Sequence, residues 1–328
     1  MTDTYKSINV LVICYKQQEV IKRALDSVLC QKEYGLNKII VCDDCSPDNT
    51  WDVLLNYKSR YPDYFEIHRN DPNLGIYQNM LKLLSLRGDS DLYVNLSGDD
   101  AFDTGYFKAL QQFIIENNID FSKPVGIFSD YANSAPDGEY SVHSQKLVEC
   151  CKDNLLSLYL RQKICCRSLV LNNKVLEKHK GTIFNKGLAL AEWLFDINRI
   201  CMIESVYYVP IVGDIYFSGI GISTKLLNSQ YYISESIEKW EYLKDKIILM
   251  QEDKKLANAE IYKARFLAHP KISLLVRSIF LYMQSGYPQK VSFKELYGFT
   301  FLMRKKIFGK YESRVWYKCL KSIKRRLI

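Results

Sequence analysis

Lys38-Ile39-Ile40-Val41-Cys42-Asp43-Asp44-Cys45-Ser46-Pro47-Asp48-Asn49-Thr50 is the stretch on which the fold turns. Its apolar run lacks the alternation of a half-exposed strand, so it reads as a parallel strand buried on both faces. The run stops at two acids. Pro47 to Thr50 then supplies a turn and a helix cap, and Trp51, Leu54 and Leu55 form the first apolar stripe of a helix.

The same grammar extends in both directions. Upstream, Val10–Cys14 is a second continuous apolar run, followed by Val20, Ile21, Ala24, Leu25, Val28 and Leu29 at helical spacing. Downstream, Phe65–His68 reads as a third strand and Asn73-Leu74-Gly75 as a turn. Met80, Leu81, Leu83 and Leu84 give a third helix. Leu92–Leu96 is a fourth strand, stopped by Ser97-Gly98-Asp99-Asp100. Strand and helix repeating at this interval imply an α/β fold, a doubly wound and mostly parallel sheet with ligands at the carboxyl ends of its strands. The polar clusters after Cys14, Cys42 and Leu96 all fall at such ends, which locates the site.

From about residue 120 to 225 the pattern loosens. One strand is expected at Val125–Ser129, then a polar loop to about Val148, and a helix from about Leu188 to Cys201. Beyond residue 226 the chain turns helical and charged from Ile233 to Ala268, continues through Ile272–Gln284, and ends in a basic stretch. The expected division is 1–225 for the α/β domain that carries the site and 226–328 for a helical, basic region.

The 328 residues suffice for a large core with an appended region, and 48% hydrophobic with 25% charged content is that of a folded protein. The net charge of +8 is uneven. Between Arg304 and Arg326 the basic residues face a single acid, Glu312. Such a segment suits a phosphate-rich surface such as anionic lipid or nucleic acid. Nothing in it resembles a nucleic-acid reading module, so no nucleic-acid partner is expected. Ten cysteines, several adjacent or on apolar strands, with no leader-like start, read as reduced thiols in a cytoplasmic protein. No run of about 18 apolar residues occurs that would span a membrane.

Two acidic pairs carry the chemistry. Acids at the end of a buried strand lose hydration and need partners. Asp43 and Asp44 suit the N3–H of uracil or thymine, although a turn that favours Asp would look alike. Asp99 and Asp100 cannot both ionise cheaply unless a cation lies near. A hard Mg²⁺ or Mn²⁺ bridging to a diphosphate would meet that need. Two such pairs at strand ends of one sheet weigh against coincidence.

These segments resemble those of the family 2 glycosyltransferases, which have the GT-A fold. Ile13-Cys14-Tyr15-Lys16 with Glu19 and the Ala24–Gln31 helix resembles the family's opening. Asp43-Asp44-Cys45-Ser46-Pro47-Asp48-Asn49-Thr50 matches its Asp-Asp-x-Ser-x-Asp-x-Thr signature, and Asn73-Leu74-Gly75 with Asn79 its Asn-x-Gly-x-x-x-Asn element. Ser97-Gly98-Asp99-Asp100 falls where the metal-binding Asp-x-Asp stands, with Ser97 in place of an acid.

The resemblance implies an inverting transfer from a UDP- or dTDP-sugar to a glycan or lipid-linked glycan, in O-antigen or capsule synthesis. Tyr15 and Asp43 or Asp44 would hold the nucleoside, with Asn73, Gly75 and Asn79 in the same donor site. Asp99 would bind the metal and Asp100 would face the donor sugar. The acceptor's proton needs a base. Ala191-Glu192-Trp193 resembles the family's position for it, with Asp196 in reserve. Relatives carry a Tyr-Arg-x-His segment near Ile215–Ser223. Its basic residues are missing, and Lys225 is the substitute expected for contact with the diphosphate. The implied location is the cytoplasm, peripheral at the inner face of the membrane.

Competing readings are a non-catalytic member of this fold that binds nucleotide or glycan for a partner enzyme, and a sugar nucleotidyltransferase. The second needs a glycine-rich basic loop after the first strand, and residues 14 to 22 contain no glycine. Cys42-Asp43-Asp44-Cys45 lacks a second Cys-x-x-Cys, so Cys42 reads as an ordinary buried thiol.

Overall fold

The computed structural model describes residues 5–150, 152–178, 192–220, 230–246, 251–269 and 272–285. The chain divides into two compact units, Met1–Tyr232 and Ile233–Ile328.

The first unit begins β1 (Ile8–Cys14), α1 (Ile21–Leu29), β2 (Leu36–Asp43), α2 (Thr50–Arg60), β3 (Phe65–Arg69), α3 (Ile76–Ser85), β4 (Leu92–Ser97). It continues with β5 (Ala101–Phe102), α4 (Tyr106–Glu116), β6 (Val125–Ser134), β7 (Tyr140–His143), α5 (Leu147–Cys150) and α6 (Leu155–Leu160). The last elements are β8 (Val170–Asn172), α7 (Asn173–Lys178), α8 (Glu192–Met202) and β9 (Ser205–Phe217). The strands form one sheet in the order β3-β2-β1-β4-β8-β6-β9-β5, with β7 paired to β6. β1, β2, β3, β4, β6 and β9 point one way, and β5, β7 and β8 run against them.

Alternate residues of the buried strands serve opposite faces. Val10, Val12, Ile39 and Val41 pack with Ala24 and Leu25 of α1, Leu54 of α2 and Leu110 of α4. Leu11, Ile40, Cys42 and Tyr93 pack with Met80 and Leu83 of α3 and Phe195 of α8. Covering both faces is why these strands read as unbroken apolar runs. Each fully buried Val or Leu contributes roughly 1.5–3 kcal/mol.

The region after residue 120 departs from expectation. The strand at Val125 extends to Ser134, and β7 lies inside the expected polar loop. β7 is largely exposed and so lacks an apolar signature. β9 contains Pro210, which ordinarily argues against a central strand. Its pairing with β6 jumps from Val209 to Val212 and then to Asp214, so Pro210 sits in a bulge where no ladder donor is needed.

The second unit is helical where described: α9 (Gln230–Lys246, which begins just before it), α10 (Gln251–Ala268) and α11 (Ile272–Gln284). Ser278 Oγ of α11 donates to the Ala259 carbonyl of α10 at 2.9 Å, and Arg265 meets Glu241 at 2.6 Å. On α11, Val276 is 55% and Phe280 58% exposed, while Ser278 and Tyr282 are buried. No helix among the described residues is long and apolar enough to cross a membrane.

Candidate active site

Register brings the strand ends together. Cys14 pairs with Asp43 and Ile13 with Ser97, so β1, β2 and β4 deliver their following loops to one edge of the sheet.

The signature after β2 acts first as wiring. The main-chain N–H of Lys16 donates to Ser46 Oγ at 3.0 Å, and that of Gln17 to Thr50 Oγ1 at 2.9 Å. Thr50 donates its hydroxyl to Asp48 Oδ1 at 2.6 Å. These side chains replace partners that the β1–α1 loop cannot find in regular structure. Lys16 and Cys45 both adopt positive φ, 55° and 59°. The turns they make set Tyr15 half-buried at the rim, with the Lys16 Nζ 5.0 Å from its ring centroid.

Asp43 is fully buried. It accepts from the hydroxyl and N–H of Ser46 and faces Arg69 at 3.4 Å. Burial pushes its carboxyl up, against the opposing pull of Ser46 and Arg69. Asp44, 3% exposed, accepts from the N–H groups of Leu74 and Gly75, at 2.8 Å each, and from Asn70 Nδ2 at 2.7 Å. Asn73 Nδ2 donates to the Asp44 carbonyl at 2.6 Å, and Asn79 Nδ2 to the Cys42 carbonyl at 3.2 Å. Asp44, Asn73, Gly75 and Asn79 therefore form one hydrogen-bonded assembly that seats the start of α3 on the end of β2.

At the end of β4 the two acids differ. The Asp99 carboxylate is half-buried and has no hydrogen bond or ion pair among the described residues. Asp100 is 2% exposed, with Oδ2 accepting from Arg167 Nη1 at 2.8 Å and Oδ1 from the Phe217 N–H at 3.1 Å. Burial pushes its carboxyl up while Arg167 opposes the shift. The same Arg167 nitrogen lies 3.4 Å from Asp214, whose carboxyl burial also drives up.

Sequence reasoning missed this cluster. Arg167 comes from the loop before β8, Asp214 and Phe217 from β9, and Arg23 from α1. The Arg23 guanidinium lies 3.4 Å from the Phe217 ring centroid and donates to the Asp99 carbonyl, and the Arg167 guanidinium lies 4.0 Å from that of Tyr216. One signal existed. An arginine between Cys166 and the apolar Leu169–Leu171 run must find an anion, because a buried charge is unstable alone.

Glu192 is the first residue of α8; its side chain and Lys225 lie outside the described residues. Asp196 is engaged by Arg199 and by the Tyr159 hydroxyl at 3.0 Å.

A hard divalent ion takes about six oxygen ligands. Among the described residues no group of three or more His, Cys, Asp or Glu side chains gathers to supply them. Each oxygen of Asp100 already accepts one hydrogen bond, from Arg167 and from the Phe217 N–H, and two guanidinium groups stand at that corner. The described residues do not by themselves make a closed metal site; among them, Asp99 is the acid at this corner whose carboxylate has no hydrogen bond or ion pair.

Comparison with known proteins agrees with this architecture. Residues 9–163 match the family model described as Glycosyl transferase family 2. A processive diacylglycerol beta-glycosyltransferase of Mycoplasma pneumoniae is 30% identical over 119 residues, 36% of this chain and 34% of that protein. The match thus spans about a third of that relative's length. S. aureus TarS 1-349 in complex with UDP-GlcNAc superposes with a TM-score of 0.58 at 14% identity, over 85% of this chain and 80% of that one. GalNAc-T7 with UDP, GalNAc and Mn²⁺ gives 0.51 at 13% identity, over 86% and 55%. Those two likenesses speak to the fold. The sequence match over β1 to α6, on a GT-A-like sheet whose signature residues tie the strand-end loops together, makes residues 9–163 similar to glycosyltransferase family 2.

Proposed function

We propose that the chain is an inverting glycosyltransferase, moving a sugar from a UDP- or dTDP-sugar to a hydroxyl of a glycan or lipid-linked glycan in surface polysaccharide synthesis. The observation that carries this reading is the strand-end edge itself. Three loops pinned by Ser46, Thr50 and Asp44 frame a rim bearing Tyr15, the free Asp99 carboxylate and two arginines. The UDP-GlcNAc complex of TarS and the diacylglycerol transferase support a nucleotide-sugar donor and a lipid-linked acceptor.

In this reading the nucleoside lies between Tyr15 and the β2–α2 loop. Asp43 spends both oxygens on Ser46, with Arg69 beside it. Asp44 Oδ2 takes one N–H and keeps acceptor capacity, so it is the acid assigned to the base. The acceptor hydroxyl passes its proton to Glu192 while its oxygen attacks the anomeric carbon. The bond from that carbon to the diphosphate breaks, and the negative charge gathering on the leaving oxygens is met by guanidinium N–H donors. Asp196, held by Arg199 and Tyr159, positions α8 rather than taking the proton. A divalent ion would add Lewis-acid neutralisation at Asp99, and no step here depends on it.

An anionic membrane surface is the proposed partner of the second unit, and the cytoplasmic membrane face the proposed location. The exposed Val276 and Phe280 and the basic 304–326 segment support both.

The test is donor turnover. UDP-glucose, UDP-galactose, UDP-GlcNAc and dTDP-rhamnose are incubated with lipid-extract acceptors, and released nucleoside diphosphate is measured. Release with one donor, abolished in Glu192→Gln while UDP still binds, supports the reading. Binding of nucleotide without release from any donor points instead to the non-catalytic assistant.

A further inference from the structure

We propose that Arg167, with Arg23 beside it, is the residue that receives the donor's diphosphate, and that nucleoside diphosphate therefore binds without a divalent metal. The inference rests on the donor-site reading above and adds to it the group that neutralises the phosphates.

The corner has an unusual charge arrangement for a metal centre. Asp100 is paired with Arg167, and its other oxygen accepts from the Phe217 N–H. Asp214 turns its carboxyl to the same guanidinium. A dication placed beside Asp99 would face two guanidinium groups, and of the three carboxylates at the corner Asp99 is the one with no hydrogen bond or ion pair among the described residues.

The same corner holds donors for an anion. A guanidinium carries five N–H donors, and only Nη1 of Arg167 is committed, to Asp100 and Asp214. The Arg167 side chain is 32% exposed. Stacking on Tyr216 fixes the plane of the fork. Arg23 is held in the same manner, its plane on Phe217 and Nη2 on the Asp99 carbonyl, and its Nε is buried with no hydrogen-bond partner. A buried N–H left unmade costs free energy that an incoming oxygen removes. Two planar forks, each fixed by an aromatic ring and each with unspent donors, are built for the oxygens of a diphosphate.

The residues come from α1, the loop before β8, and β9. They supply the positive charge that the Ile215–Ser223 segment lacks.

The experiment is calorimetric titration of the full chain with UDP, dTDP and GDP, in EDTA and again in Mn²⁺. The variants are Arg167→Lys, which retains the charge that Asp100 and Asp214 require but removes the fork, and Arg23→Ala. Thermal melts confirm that each variant is folded. The expected result is wild-type binding of one nucleotide in EDTA, strengthened less than threefold by Mn²⁺. Arg167→Lys should weaken it by about tenfold, the scale of one lost charge-assisted hydrogen bond. Wild-type binding only with Mn²⁺ overturns the proposal, as does a folded Arg167→Lys that binds as tightly as wild type. No binding of any nucleotide in either condition removes the donor-site reading itself.

Discussion

Asp44 accepts hydrogen bonds from the main-chain N–H groups of Leu74 and Gly75, both at 2.8 Å, so one carboxylate at the end of β2 holds the entrance to α3. The bond to Leu74 spans thirty positions of sequence. Asp44→Asn exchanges one acceptor oxygen for a donor that meets an N–H head-on. Hydrogen bonds to charged groups contribute about 1.5–3 kcal/mol. A loss of about 2 kcal/mol or more is expected in urea unfolding, together with weaker nucleotide binding. Stability equal to wild type would show that the loop is held by other means.

Gly98 lies where β4 ends against β1. A Cβ there would come within 2.6 Å of Ile21 Cδ1 and 3.1 Å of Cys14 Cβ, and closer still to the Gln17 side chain. Ile21 and Cys14 belong to the core and cannot yield freely. Gly98→Ala should cost about 1–3 kcal/mol as overpacking, seen as a lower Tm, and should disturb the neighbouring Asp99. An unchanged Tm would mean that the end of β4 yields.

Asp48 gives a pH signature. Burial pulls its carboxyl up, but the hydroxyl and N–H of Thr50 and the N–H of Gln18 outweigh burial and hold it below its ordinary 3.8. An acid held down in the folded state binds fewer protons there than in the unfolded chain, so stability rises with pH across this window. The contribution is complete above 3.8 and is lost as pH falls through the lowered value. Asp48→Asn should therefore be less stable than wild type at neutral pH, with the gap closing in acid. A gap that stays constant with pH would assign the loss to packing.

Val276 and Phe280 stand one helical turn apart on the exposed side of α11. If this side meets anionic lipid, Val276→Asp with Phe280→Asp should reduce co-sedimentation with phosphatidylglycerol vesicles several-fold. The melting temperature should stay near that of wild type, because neither side chain is buried. Equal sedimentation of the two proteins would exclude α11 from the contact.

Cys42 shows a sequence expectation carried through to the structure. It is fully buried at the end of β2, and burial pushes its thiol up to about 11. That environment belongs to a core thiol, and it follows from the apolar run in which Cys42 stands.

The doubly wound half of the sheet was legible because its signals are local. Unbroken apolar runs, caps and turns lie within a few residues of each element, and burial on both faces leaves no alternation to confuse them. β7 and β9 were not legible. One is exposed, and the other hides Pro210 in a bulge that exists only because β6 lies alongside. The same division holds in the site. Asp43, Asp44, Asp99 and Asp100 could be found because each ends a strand, but their partners could not. The sequence by itself determined the doubly wound half of the sheet, the edge where its strands end and the acids at that edge. Only the tertiary structure decided which acids are spent and which is free. Arg23 and Arg167 reach Asp99 and Asp100 across 76 and 67 positions of chain. Charges so far apart in sequence meet through the packing of α1, the end of β4 and the loop before β8, which no local pattern encodes.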